Sequence, residues 1–244
     1  MASRRPAITT TALLLTTSIL TACTSTSAPH RTAAAPSGSG ATPVPTTTRP
    51  SNTGAATPAT PPSPRTATVL GSGDVLIHPQ LWERAHADAL AEGRPGYDFG
   101  PMYASIAPDV QAADLATCEL ETPLARPQGP FSGWPNFNGP PQVLTALKNV
   151  GYRSCTTASN HSIDQGYTGV KRTLDELDAA GLRHTGSART EAEASTPLIV
   201  TLPNGVRIGQ LAYSFGFNGI PVPSDKPWLA NLTDIGRIRA AARP

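Results

Sequence analysis

The chain has 244 residues, of which 26 are Pro and 21 Gly, with 39% hydrophobic, 15% charged and only 5% aromatic side chains; it is too polar and too proline-rich to be one globular body, so the folded part is shorter than the chain. The formal net charge of +2 hides a regional split: five Arg and no acidic residue precede position 67, and the remainder carries 14 basic against 17 acidic side chains. That balance excludes a basic nucleic-acid-binding face on the folded part, and no nucleic-acid partner is expected.

Residues 1–22 read as an export signal. Arg4 and Arg5 supply a positive start, and an uncharged run from Ala7 to Leu20 follows that is too short to span a bilayer as a stable helix. The run ends in Leu20-Thr21-Ala22-Cys23, which looks like a bacterial lipobox, with Cys23 as the lipidated residue; an ordinary secretory signal with a Cys at that place is the alternative. Paired Arg residues also resemble a twin-arginine signal, but Pro6 departs from that pattern. The expected location is therefore extracytoplasmic, with a lipid anchor in the membrane. Residues 23–66 read as a tether. Its Pro, Ser and Thr content comes with no apolar period of 2 or 3.6, and extended polyproline geometry gives it a reach on the order of 130 Å.

From residue 67 to 244 the pattern becomes that of a folded domain. Ala67 to Leu70 predicts a buried strand running into the turn Gly71-Ser72-Gly73, and Leu81 to Glu92 predicts a helix. Phe99 to Ala112 suits a second helix and Asp114 to Cys118 a short strand. Pro140 and Pro141 open a helix carrying Val143, Leu144, Leu147 and Val150, closed by Gly151. A strand over Tyr152 to Thr157 precedes a helix over Tyr167 to Ala180, stopped by Gly181. Leu198 to Leu202 and Val206 to Tyr213 flank Asn204-Gly205, the signature of a type I′ hairpin turn. Alternating strands and helices followed by a hairpin predict an α/β layered domain with a mixed sheet.

Ligands of open α/β sheets gather beyond the carboxyl ends of the strands. Three polar groups meet that criterion: Asp74, then Glu119 and Glu121, then Asn160 and His161 with Asp164. Carboxylates converging without a basic partner repel unless a cation neutralises them, so a divalent metal site for Mg²⁺, Mn²⁺, Fe or Zn²⁺ accounts for the set most simply. Each residue also has a plainer reading. Asp74 fits a turn, Asp164 a helix start and His161 a solvated loop. His78 either reaches the same pocket or caps the following helix, and His184 is a residue at the site's periphery or a loop histidine. Trp134 and Phe137 either line a substrate groove or pack over the sheet.

Several segments together carry a family resemblance. Gly73-Asp74, Ala113-Asp114-Leu115, Leu120-Glu121-Thr122-Pro123-Leu124, Ser159 through Gly166 and Thr173 to Gly186 resemble the capsule synthesis protein (CapA, poly-γ-glutamate biosynthesis) family. This family is similar in fold to the calcineurin-like metallophosphatases, which implies an α/β/β/α sandwich. The resemblance runs from about Ala67 to the C-terminus and includes the tract Asn218-Gly219-Ile220-Pro221. It implies Asp74, Glu121 and Asn160 as metal ligands, with two ions bridged by Glu121. It also implies His161 as the acid that protonates a leaving oxygen, oriented by Asp164. Glu119 stands where the family usually has Asn, so it either adds a second carboxylate or lies at the rim. The family continues with His-containing segments that resemble further ligands. No His follows His184 here, so both the metal site and the sandwich are expected to be incomplete at the C-terminus.

With Cys23 lipidated, Cys118 and Cys155 remain as an even pair in an oxidising setting; they form a disulfide pinning two site-bearing loops, or stay as buried thiols. The expected function is synthesis, export or attachment of an anionic envelope polymer, by metal-dependent hydrolysis or transfer. A non-catalytic polymer-binding scaffold and an inactive fragment are the rival readings.

Overall fold

The computed structural model describes residues 64–243. The export signal, Cys23 and nearly all of the tether lie outside the described residues. No helix among the described residues is long and apolar enough to cross a membrane.

Four parallel strands, β1 (Val69–Asp74), β2 (Leu115–Glu119), β3 (Ser154–Thr156) and β4 (Arg183–Thr185), lie side by side in chain order. Between β1 and β2 come α1 (Pro79–Ala91), α2 (Gly100–Tyr103), a 3-10 turn (Ala104–Ile106) and α3 (Ala107–Ala112). Helix α4 (Val143–Val150) joins β2 to β3, and α5 (Gly166–Ala179) joins β3 to β4. Right-handed crossovers between strands taken in sequence order put every connecting helix on one face of the sheet. The main core forms there, with Ala116, Cys118 and Cys155 packed with Leu144, Leu147 and Leu174. The short helix α6 (Glu191–Ala194) leads into the antiparallel pair β5 (Leu198–Thr201) and β6 (Arg207–Gln210), and α7 (Ile235–Ala241) follows. Leu198, Val200 and Leu202 cover Leu115, whose side chain alternates to the face opposite Ala116. Ser154 Oγ reaches Gln210 Oε1 at 3.0 Å on the same side. The parallel and antiparallel strands expected of a mixed sheet thus form as two sheets of a layered, metallophosphatase-like α/β fold.

Local chemistry explains where the elements begin and end. Helix α4 buries Val143, Leu144, Ala146, Leu147 and Val150, and Gly151 ends it at φ 123°. The single helix predicted over Phe99 to Ala112 is broken into three pieces, because Pro108 has no N–H to donate back to Ala104 and its ring crowds that carbonyl. Strand β1 continues through Gly71-Ser72-Gly73 instead of turning there, with an irregular register between Gly71 and Asp74. That irregularity still brings Asp74 opposite Glu119. Strand β4 was not foreseen: Arg183-His184-Thr185 has no apolar pattern, and it is held by pairing with β3.

Candidate functional site

The carboxyl ends of β1 and β2 each deliver acid to the same edge of the sheet. Asp74 is the last residue of β1 and Glu119 the last of β2, while Glu121 follows after one buried residue, Leu120. One carboxylate oxygen from each of Asp74, Glu119 and Glu121 lies within 4.8 Å of the other two. Asp74 is exposed, Glu119 half-buried and Glu121 buried at 6% relative exposure. Both oxygens of Glu119 and Oε2 of Glu121 are buried without a hydrogen-bond partner. Burial first, and then the neighbouring Asp74 carboxyl, pushes Glu119 up to about 8. Burial and the charge of Asp74 also raise Glu121, against the opposing pull of His161 and His78. Three carboxyl groups crowded together, one of them buried and one half-buried, carry a desolvation and repulsion cost that a divalent cation offsets. The donor set is all oxygen, which suits hard ions such as Mg²⁺ or Mn²⁺.

Beyond β3 the chain turns through Ser159 and Asn160 into a buried histidine. His161 Nδ1 lies 2.7 Å from Asp164 Oδ2, and the Asp164 side chain is 1% exposed. The same oxygen accepts the Phe137 N–H at 2.8 Å, while Gln165 Nε2 donates to the Phe137 carbonyl at 2.9 Å. Phe137 is therefore clamped at both of its backbone polar groups. Its ring meets His161 edge-on at 4.7 Å and His78 edge-on at 5.1 Å. His78 occupies the N-cap position of α1 but makes no capping bond with its side chain. Acceptance of Nδ1–H by Asp164 fixes the imidazole tautomer and leaves Nε2 as the atom able to hold or release a proton.

Asn218 completes this wall. It sits in the left-handed region at φ 51°, followed by Gly219 at φ 83°, and the Ile220 N–H closes the turn onto the Phe217 carbonyl at 2.8 Å. The turn aims its amide at the site: Nδ2 lies 3.2 Å from Nε2 and 3.3 Å from Nδ1 of His161, and Oδ1 accepts from Asn160 Nδ2 at 3.4 Å. A cleft of about 650 Å³ opens beside the cluster, lined by Asp74, Glu119 and Asn160 on one side and by residues 213–219 on the other.

The structure gathers Asp74, Glu119 and Glu121 into one group, places Asn160 on the wall of the cleft beside Asp74 and Glu119, and pairs His161 with Asp164. Glu119, read from the sequence as either adding a second carboxylate or lying at the rim, is a member of the acidic group. His184 goes elsewhere: on β4 its Nε2 lies 3.1 Å from Asp178 Oδ1, in a separate cleft that shares no lining residue with the acidic one. There Arg189 binds Asp175, Asp178 and Glu193, tying α6 to α5. The sequence reading missed Asn218 as a partner of His161, although adjacent Asn and Gly are the ordinary signal of such a turn. Phe137, left open between groove and packing, is buried between the two histidines, and Trp134 is 77% exposed. Cys118 and Cys155, opposite each other on β2 and β3, are joined by a disulfide.

The family model for the bacterial capsule synthesis protein PGA_cap matches residues 68–240. Two curated relatives are similar over 157 residues, the uncharacterized proteins y4uA and y4sH of Sinorhizobium fredii (strain NBRC 101917 / NGR234), at 27% and 26% identity. The matched segment is 62% of this chain and 31% of each relative, so the chain spans about a third of the length of the curated relatives it matches. With the family model covering most of the chain, including all the residues of the acidic group and the His161–Asp164 pair, the protein belongs to the bacterial capsule synthesis protein PGA_cap family.

Proposed function

We propose that this protein serves the synthesis, export or attachment of an anionic envelope polymer, with a divalent cation held by Asp74, Glu119 and Glu121 and approached by the amide of Asn160. The observation that carries this reading is Glu121: an acid more than nine-tenths buried, with an unpartnered oxygen, set against Asp74 and two unpartnered oxygens of Glu119. An ion bound there supplies Lewis-acid polarisation of a phosphoryl or acyl oxygen. His161 is the proton donor to a leaving oxygen. Asp164 holds its ring in one tautomer, and Phe137 fixes its plane by an edge contact on a buried face. The reaction class is hydrolysis or transfer at a phosphate or acyl centre. Export through residues 1–22, lipidation at Cys23 and an extended tether would place the domain outside the cytoplasmic membrane and clear of its surface.

The test is turnover of bis(p-nitrophenyl) phosphate by the full chain with added Mn²⁺ or Zn²⁺. Metal-dependent release of nitrophenol, reduced about 10²-fold or more in His161→Ala, is expected. Polymer retention with no turnover under any of these metals would overturn the enzymatic reading in favour of a binding role.

A further inference from the structure

The imidazole of His161 is held from three directions. Nδ1 meets Asp164 Oδ2 at 2.7 Å in the plane of the ring, and Phe137 packs against it with centroids 4.7 Å apart and planes at 77°. The third contact is of another kind. Asn218 Nδ2 lies 3.2 Å from Nε2 and 3.3 Å from Nδ1. An atom almost equally far from both ring nitrogens at this range would run into the ring's own carbons if it stayed in the ring plane. The Asn218 amide therefore lies over a face of the imidazole, with its N–H group against the π cloud. Such a contact is weak, and what it contributes is geometry: it fills one face of the ring and leaves the in-plane position at Nε2 open to a reacting oxygen.

Neighbouring groups decide which end of the Asn218 amide faces the ring. Its Oδ1 accepts from Asn160 Nδ2 at 3.4 Å, and Asn160 Oδ1 accepts from the Ser159 hydroxyl at 3.0 Å. The backbone under Asn218 is fixed as well, by the turn closed from the Ile220 N–H onto the carbonyl of buried Phe217. A divalent ion that takes Asn160 takes it by Oδ1, because the amide nitrogen is a donor only. Nδ2 is then left for Asn218, which is the arrangement already formed. Residues 57 positions apart are thus joined so that one amide, beside the acidic group, braces a second that roofs His161.

We infer that Asn218 is a positioning residue for His161: braced by Asn160, it sets the plane of the imidazole so that Nε2 faces the cleft before substrate or ion arrives. The inference deepens the reading above and rests on it only for what Nε2 then does; the setting of the ring stands whether or not the chain turns over a substrate.

The experiment is NMR of the isotope-labelled full chain, without divalent ions and then with Mg²⁺, comparing the parent with Asn218→Gly and Asn160→Ala. Gly takes the left-handed turn without strain, so Asn218→Gly removes the amide and keeps the turn, which the Phe217 and Ile220 amide signals report. In the parent, the side-chain N–H protons of Asn218 should show Overhauser contacts to the His161 ring and an upfield ring-current shift, both persisting with Mg²⁺. Asn160→Ala should weaken those contacts, and Asn218→Gly should weaken the contacts between His161 and Phe137. With bis(p-nitrophenyl) phosphate, Asn218→Gly should lower kcat roughly tenfold with KM nearly unchanged. The same change made in His161→Ala should cost nothing further, since it acts through the missing ring. Absence of the Asn218–His161 contact, contacts undiminished in Asn160→Ala, an unaltered His161–Phe137 pattern in Asn218→Gly, or a kcat loss that adds in full to that of His161→Ala would each overturn the inference. A parent without turnover removes the enzymatic reading, and the NMR comparison, which needs no activity, then decides this inference by itself.

Discussion

Replacing Glu119 by Gln should make the metal-free protein more stable at alkaline pH while weakening its hold on a divalent ion. Oxygens of Asp74, Glu119 and Glu121 lie within 4.8 Å of one another, so each ionised pair at that separation repels by about 3 kcal/mol at an effective dielectric constant near ~20. Burial and this crowding raise the Glu119 carboxyl from 4.5 to about 8 in the folded protein. The sign follows from proton counting. Between those two values the folded state keeps a proton that the unfolded state has lost, so stability falls as pH rises through the window and the full penalty applies above it. The shift sets a ceiling of about 5 kcal/mol, and water around the half-buried carboxyl reduces the measurable part to on the order of 2 kcal/mol. Gln carries no charge to repel, so the variant should melt about 4–8 °C higher than the parent at pH 8.5 in EDTA and match it near pH 4.5. Added Mn²⁺ should reverse the order, since an ion at 100 times its dissociation constant adds about 2.7 kcal/mol to the parent and less to the variant. Differential scanning fluorimetry over pH, with and without Mn²⁺, reads all four conditions. A parent whose melting temperature is flat from pH 4.5 to 8.5 in EDTA, or a variant less stable than the parent at pH 8.5, would refute the reasoning.

Three further outcomes follow from other parts of the structure. Replacing both Cys118 and Cys155 by Ala, which opens a cross-link spanning 37 positions, should lower stability by about 2–4 kcal/mol in urea unfolding. Arg189→Ala removes the shared partner of Asp175, Asp178 and Glu193 and should cost about 1–3 kcal/mol at neutral pH; because Asp175 and Glu193 are held below the ordinary carboxylate range, the cost should shrink only as pH falls below that range towards their lowered values. Gly186→Ala at φ 120° would set a methyl group 2.6 Å from the Ala158 backbone nitrogen. That substitution should cost about 3 kcal/mol or more and broaden the amide spectrum of the loop carrying Asn160 and His161.

Local pattern made much of the domain legible. Buried apolar residues spaced every three or four positions marked α4 and α5, Gly151 and Gly181 marked their ends, and Asn204-Gly205 marked the hairpin, because each of these signals acts within a few residues of itself. The break at Pro108 is also written in the sequence, although the helical spacing around it suggests one continuous helix. The candidate acids were legible for a different reason: they follow strands, and strand ends share an edge in any parallel sheet. Their family context came from motif order, not from any one residue.

Other features were decided only in three dimensions. Strand β4 owes its existence to hydrogen bonds offered by β3, so its own residues carry no signal. The choice between the two readings of Glu119 depends on the irregular register of β1, which sets Asp74 opposite it. The departure of His184 to a separate cleft follows from its place opposite Cys155, on the face where α5 supplies Asp178. Phe137 between His78 and His161, and Asn218 against the His161 ring, join segments far apart in the chain. A sequence records which side chains are available and which way each short element turns its apolar face. Which of those side chains meet is fixed by strand order and register, because contacts between distant segments form only after the sheet has set their separation.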